Sequence, residues 1–320
     1  MPDNVLFLKY QAADTGAPRP VPAGSTFWLS PAVVLATSDG NYKVTDPPTP
    51  TTIHVQVSLM APAAFESINV EVWVCDPTTV AGPSTALPPS QATAQQLTLT
   101  GSHAPPNPGQ PISTVPLICV TGFVPYPAIS TLPKGHCCLI ANCYGIRGDG
   151  TTDGADLNTL QAANLPHLVQ NDQHVAQHNI FVDATPPGPR IELINFPFRA
   201  ATPLTKGAEQ VRLEITPKPP AQLRTLLHSG LLRLGGPKFK GLPIAVSERP
   251  VKYIGLTGLP KEGRVVELEL EAHKSQVLTA AVELDPAEKP GAAHAFDVVQ
   301  TDAHGRTQGG LTLVTIVARD

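Results

Sequence analysis

The sequence predicts an all-β chain of two antiparallel β-sandwich domains. Three observations carry that expectation: apolar residues that alternate at period two, 36 prolines in 320 residues, and turn clusters without a strand–helix–strand rhythm. Alternation belongs to extended chain, where successive side chains point to opposite faces. Proline cannot donate to a β ladder and breaks helix interiors, so a folded chain rich in it keeps its elements short. Hydrophobic content of 42% against 15% charged residues sets this chain apart from disordered ones. At roughly 150 residues per domain, the length suits two.

Taken in order, VLFLKY (5–10) is the first extended run, of a kind that can also add as a strand to another sheet's edge. TDPPTPTT (45–52) separates it from IHVQVSLM, where Ile53, Val55, Val57 and Leu59 share one face. INVEVWVC follows, with Ile68, Val70, Val72 and Val74 as its core face. The Pro-, Ser-, Thr- and Ala-rich stretch 77–108 reads as surface loops around one weak strand, QQLTLT. Strands are then expected at 117–121, 137–144 and 178–183. DATPPGPR (183–190) carries Pro186, Pro187 and Pro189 and is a stiff linker. It divides the chain into domains 1–185 and 186–320.

In the second domain strands are expected at 190–196, 210–216, 251–257, 277–284, 295–300 and 311–318. The clearest is VVELELEA, with Val266, Leu268, Leu270 and Ala272 on one face and Glu267, Glu269 and Glu271 on the other. AQLRTLLHSGLLRLGG breaks the pattern. Leu223, Leu226, Leu227 and Leu231 recur at helical spacing, which predicts one short helix, weakened at Gly230. LTLVTIVA is apolar on both faces, so it is either a central strand or a strand whose second face meets a neighbour. Burying a face of about 200 Å² is worth roughly 5 kcal/mol before ordering costs. Turn spacing of this kind suits immunoglobulin-like sandwiches.

The candidate chemistry is sparse. HVAQH (174–178) has Val175 where a zinc-protease helix needs its glutamate base, and it leads into an apparent strand. His136, Cys137, Cys138 and Cys143 in GHCCLIANC contain no CxxC pair, and adjacent strand residues face opposite ways. The five cysteines all lie in the first half, an odd count that does not suggest a secreted disulfide framework. Asp149, Asp153 and Asp156 in GDGTTDGAD make calcium the best metal candidate, although the spacing is not that of an EF-hand. No other cofactor is expected. Trp73, Tyr126 and Tyr144 are the candidate ligand-binding rings for a glycan. No GxSxG, GxGxxG or GxxxxGK motif occurs, and no enzyme is expected.

The net charge is −4 and the strongest basic cluster is Lys238 with Lys240, so no phosphate-tracking stripe points to nucleic acid. No apolar run reaches the ~18 residues of a membrane helix. MPDNVLFLKYQ lacks the basic head and long apolar core of a secretory leader. These features leave the location open between the cytoplasm and export by a non-classical route.

The segments FWLSPAVVL, IHVQVSLM, INVEVWVC, LPKGHCCLIANC and NDQHVAQHNIFV resemble the bacterial cell-adhesion-related domain (CARDB), an immunoglobulin-like module, over about residues 28–184. GHCCLIA matches that family's G-H-x-C-L-x-A flavour, and DQHVAQHN its N-x-V-A-Q-x-N segment. The chain departs from the family in its Pro-rich insertion after Cys75. The resemblance implies a non-catalytic structural or interaction module of adhesion type, binding a protein partner or copies of itself. The alternatives are a carbohydrate-binding module or an accessory domain of a hydrolase system.

Overall fold

The computed structural model describes residues 5–16, 19–36, 52–60, 65, 67–75, 78–80, 97–100, 117–121, 136–156, 169–185, 194–202, 206–228, 241–258, 263–272 and 274–318. Strands β1 (Leu6–Leu8), β2 (Val33–Ala36), β3 (Thr52–Leu59), β4 (Ser67–Val74), β5 (Leu97–Thr100), β6 (Leu117–Thr121), β7 (His136–Ile146), β8 (Thr152–Asp153) and β9 (Val175–Thr185) come first. They are followed by β10 (Ile194–Ala201), β11 (Ala208–Pro217), helix α1 (Pro220–His228), β12 (Ala245–Val246), β13 (Tyr253–Thr257), β14 (Val265–Glu271), β15 (Ser275–Glu283), β16 (Ala292–Asp302) and β17 (Thr307–Val317). The fold is all-β, with one short helix among the described residues, as the sequence predicts. Leu223 and Leu226 are the buried residues of that helix. Residues 229–240, with the expected end of the helix, lie outside the described residues.

A ten-stranded sheet in the order β14-β11-β16-β17-β9-β7-β4-β5, with β12 on β16 and β8 on β7, forms the middle of the fold. Two smaller sheets pack on it as lids. The first lid has β3 at its centre, with β1 and β2 along one side and β6 along the other. The second is β10-β15-β13. The antiparallel sandwiches arise where each lid faces the large sheet.

The final strand shows how the halves meet. β17 pairs antiparallel with β16 and parallel with β9, so strands from either side of residue 186 join one sheet without a break. Its alternate residues enter different cores. Val314 and Ile316 pack with Ile180, Val182, Leu223 and Ala295, whereas Leu311, Leu313 and Val317 pack with Phe181, Phe196, Phe198 and Phe296. The double apolarity of LTLVTIVA thus has one cause: the strand is central and has a different neighbour on each face.

Other first-half segments reach across the same seam. Gly309 lies so close to the chain that a Cβ there would stand 2.1 Å from the Thr79 carbonyl oxygen. A Cβ on Gly310 would stand 2.6 Å from the Trp28 ring. The Trp28 indole N–H donates to Thr312 Oγ1 at 3.1 Å, and the Thr312 hydroxyl donates to Asp297 Oδ1 at 2.7 Å. Asp297 Oδ2 accepts from Lys218 Nζ at 2.5 Å. Among these, Lys218 and Asp297 are a buried ion pair with every charged oxygen in use, the condition under which buried charge is tolerated.

The second face of β4 is covered as well: Asn69 is 3% and Glu71 7% exposed. Glu71 Oε2 accepts from Asn142 Nδ2 at 3.0 Å, so the polar residues there are buried with partners rather than hydrated.

Candidate functional site

Among the described residues, the sequence-derived candidates do not assemble into one site. Trp73 stands opposite Ile140, and Tyr144 opposite Asn69, in the β4–β7 ladder. Tyr144 is half-buried. The side chain of Trp73 and all of Tyr126 lie outside the described residues.

The calcium expectation is not met among the described residues, where no three His, Cys, Asp or Glu side chains gather as a metal site. Asp149 is exposed and closes its own turn, accepting from the Thr151 amide at 2.9 Å and the Thr151 hydroxyl at 2.6 Å. Those hydrogen bonds hold its carboxyl below the usual value. Asp153 has turned inward, and Asp156 is half-buried after it.

Asp153 is instead a structural clamp. Its Oδ2 accepts from the amides of Val5 at 2.8 Å and Leu6 at 3.0 Å, and its Oδ1 meets His174 Nε2 at 3.0 Å. His174 Nδ1 reaches Asp172 at 2.9 Å. Burial by itself pushes the His174 pKa down, but the hydrogen bonds to Asp153 and Asp172 outweigh it and lift the value to about 9. His174 is therefore an imidazolium at neutral pH, a fixed charge holding the N-terminal strand. His178, four residues on, is the opposite. Burial, only partly opposed by the Ser30 carbonyl, pushes it down to about 4, so it stays neutral.

Two further polar groupings among the described residues are occupied within themselves. Glu288 Oε1 takes both the Ser247 hydroxyl at 2.5 Å and His294 Nε2 at 2.9 Å. The carboxylate sits between serine and histidine, the reverse of an activated nucleophile, where the imidazole must take the hydroxyl proton. A trough of about 780 Å³ is lined by Gln210, Arg212, Glu214, Glu267, Thr301 and Asp302 among others. Arg212 spends its charge on Glu214 at 2.7 Å, and Asp302 is held by the amides of His304 and Arg306 within its own turn.

The feature that stands out is the outer face of the second lid. The cross-strand register sets Asn195, Pro197 and Arg199 of β10 beside Ala281, Thr279 and Val277 of β15, and Gly255 and Thr257 of β13 complete the rows. Tyr253 and Glu283 form the last pair. Tyr253 is 37% and Val277 51% exposed, two of the three exposed large apolar side chains among the described residues. Tyr253 leans along its strand over Gly255, where a Cβ would stand 2.4 Å from the phenol oxygen. Only glycine two residues on leaves room for that ring. Between Tyr253 and Val277 the row is small and uncharged, with Gly255 and Ala281 buried; Arg199 lies near one end, and Glu283, with Lys252 Nζ 4.0 Å away, at the other. Sequence reading missed it because Tyr253, Val277 and Pro197 come from three strands that only the fold brings together. The spacing Tyr-x-Gly in YIG was the one local signal.

No family model matches the chain, and no curated protein matches it. Among solved structures, a Bacteroides ovatus ATCC 8483 protein described as a candidate carbohydrate-binding protein aligns over 43% of this chain and 35% of its own length, with 8% identity and a TM-score of 0.30. This chain thus spans about a third of that protein. The B domain of a biofilm associated protein aligns over 86% of this chain and 83% of its own, at 7% identity and a TM-score of 0.23. CBD12 from CALX1.2 covers 88% of this chain, at 9% identity and a TM-score of 0.19. Likeness this distant carries no functional argument. Among the described residues no helix is long and apolar enough to cross a membrane.

Proposed function

We infer that the chain is a non-catalytic structural module that associates with a second copy of itself through the outer face of the second lid. The observation that carries this is the exposure of Tyr253 and Val277 on one small-residue face with opposite charges at its ends. From Val277 to Glu283 is about 20 Å along a strand. A two-fold axis lying in the interface, across the strands, sets the Arg199 end of one copy over the Glu283 end of the other. The Arg199 and Glu283 ends are then opposite in sign where the copies meet. The resemblance of residues 28–184 to adhesion-type CARDB modules supports an interaction role and belongs to the same proposal.

Light scattering tests it. The wild-type chain is expected to shift from monomer to dimer over micromolar concentrations, and Val277→Asp to remain monomeric. Arg199→Glu should also weaken the dimer, and Arg199→Glu with Glu283→Arg should restore it. A wild-type monomer at every concentration overturns the reading.

A glycan partner is the second reading, and Tyr253 is the observation in its favour: a half-exposed ring against small and hydroxylated neighbours is a stacking surface for a sugar. Binding on a glycan array that Tyr253→Ala abolishes would favour this reading over self-association.

A further inference from the structure

We propose that Cys75 and Cys138 are a two-electron redox pair that closes into a disulfide between β4 and β7. The register places them together. Val74 stands opposite Leu139 in the antiparallel ladder, so the next residues on the two strands are Cys75 and Cys138. The Cys75 amide donates to the Cys138 carbonyl at 2.9 Å. Antiparallel partners joined by a ladder hydrogen bond of this kind have their Cα atoms about 5.5 Å apart, inside the range of about 4.4–6.8 Å that a disulfide spans.

Burial and neighbours agree with the register. Both side chains are 0% exposed, and both belong to one small core with Phe27, Trp28, Ile140 and Val175. In the structure both are thiols. Cys143 belongs to a different core cluster, so it does not compete for either sulfur.

The oxidant is a small-molecule disulfide such as oxidised glutathione. One cysteine thiolate attacks it, expelling one glutathione thiolate and leaving a mixed disulfide. The second cysteine thiolate displaces the other glutathione. The protein loses two protons and two electrons, which the oxidant carries away as two thiols. Because both sulfurs are buried, exchange occurs when the β4–β7 end opens or before the strands pair. The closed bond staples β4 immediately before Thr78–Val80, the segment whose backbone lies against Gly309 and β10. Oxidation therefore fastens the first-half chain where it meets the second.

Two samples of the full chain test this, one kept folded in oxidised glutathione and one refolded in it from the reduced, denatured state. Each is alkylated in denaturant, digested without reductant and mapped by mass spectrometry. The expected product in at least one sample is a linked pair of peptides holding Cys75 and Cys138, lighter by two hydrogens than the separate peptides. Reduction should remove it, and the linked form should melt roughly 5 °C above the reduced form. In the Cys75→Val and Cys138→Val variants the remaining cysteine should be alkylated. The proposal is overturned if both cysteines are alkylated in both samples. It is equally overturned if either links to Cys119, Cys137 or Cys143, or stops at the mixed disulfide with glutathione.

Discussion

The two lids of the central sheet are held by different physics. The second lid is knit within itself by an unbroken backbone ladder, eight paired residues between β10 and β15, and it packs on the central sheet through phenylalanines beneath it. In the first lid β3 is long but its partners are short, with only three pairs between β1 and β3. Side chains make up the difference: Asp153 takes two amides at the start of β1, Gln173 Nε2 donates to the Leu6 carbonyl at 2.7 Å, and Asp14 accepts from Arg19 at 3.1 Å and from the Tyr10 amide at 3.2 Å. A ladder is insensitive to pH, and a carboxylate–imidazolium clamp is not. The same architectural task therefore makes the anchoring of the first lid titratable and leaves that of the second to packing.

The largest expected effect lies in the second lid. Phe196 is fully buried and meets Phe181 edge-on at 5.0 Å, so Phe196→Ala should cost about 3–5 kcal/mol in urea unfolding, by the same amount at every pH. Asp153→Ala leaves two buried amides without their acceptor and the buried histidine with Asp172 as its one carboxylate partner, and about 3 kcal/mol should be lost at neutral pH. If that variant matches wild type, the first lid is held by packing alone and the contrast fails.

The pH profile sharpens the contrast. The folded pKa of His174 is raised, so its contribution is complete below the unfolded value near 6.5 and is lost as pH rises toward 9. The folded pKa of His178 is depressed, so its contribution is present above 6.5 and is lost as pH falls toward 4. Stability should peak near pH 6.5, and His174→Gln should flatten the alkaline arm without touching the acid one. Chemical denaturation across pH 4–10 checks both. A smaller loss, about 2 kcal/mol, is expected from Gly309→Ala, where the added methyl meets backbone rather than a movable side chain. The smallest belongs to Tyr253→Ala, below about 1 kcal/mol in stability, with its consequence appearing in association instead.

Where the sequence could be read, it was read through alternation. VVELELE became β14 with Val266 and Leu270 buried and its three glutamates exposed. HVAQH became the start of a strand, as the missing glutamate and the following NIFV required. The aspartate loop was less legible. Asp149, Asp153 and Asp156 look alike in sequence, and one of them turned inward because Val5 and Leu6, nearly 150 residues away, needed an acceptor. The outer face of the second lid was almost illegible, since its residues are scattered over 195–283.

The sequence by itself determined that the chain forms strands, which residues on each strand face a core, and that the last strand has two dry faces. Those properties depend on neighbours one or two residues apart. Only the tertiary structure decided that β17 lies parallel to β9, that Asp153 serves the N-terminus, and that Tyr253 and Val277 share an open face. Each of these joins distant segments, and the partner is chosen by geometry that no local pattern encodes.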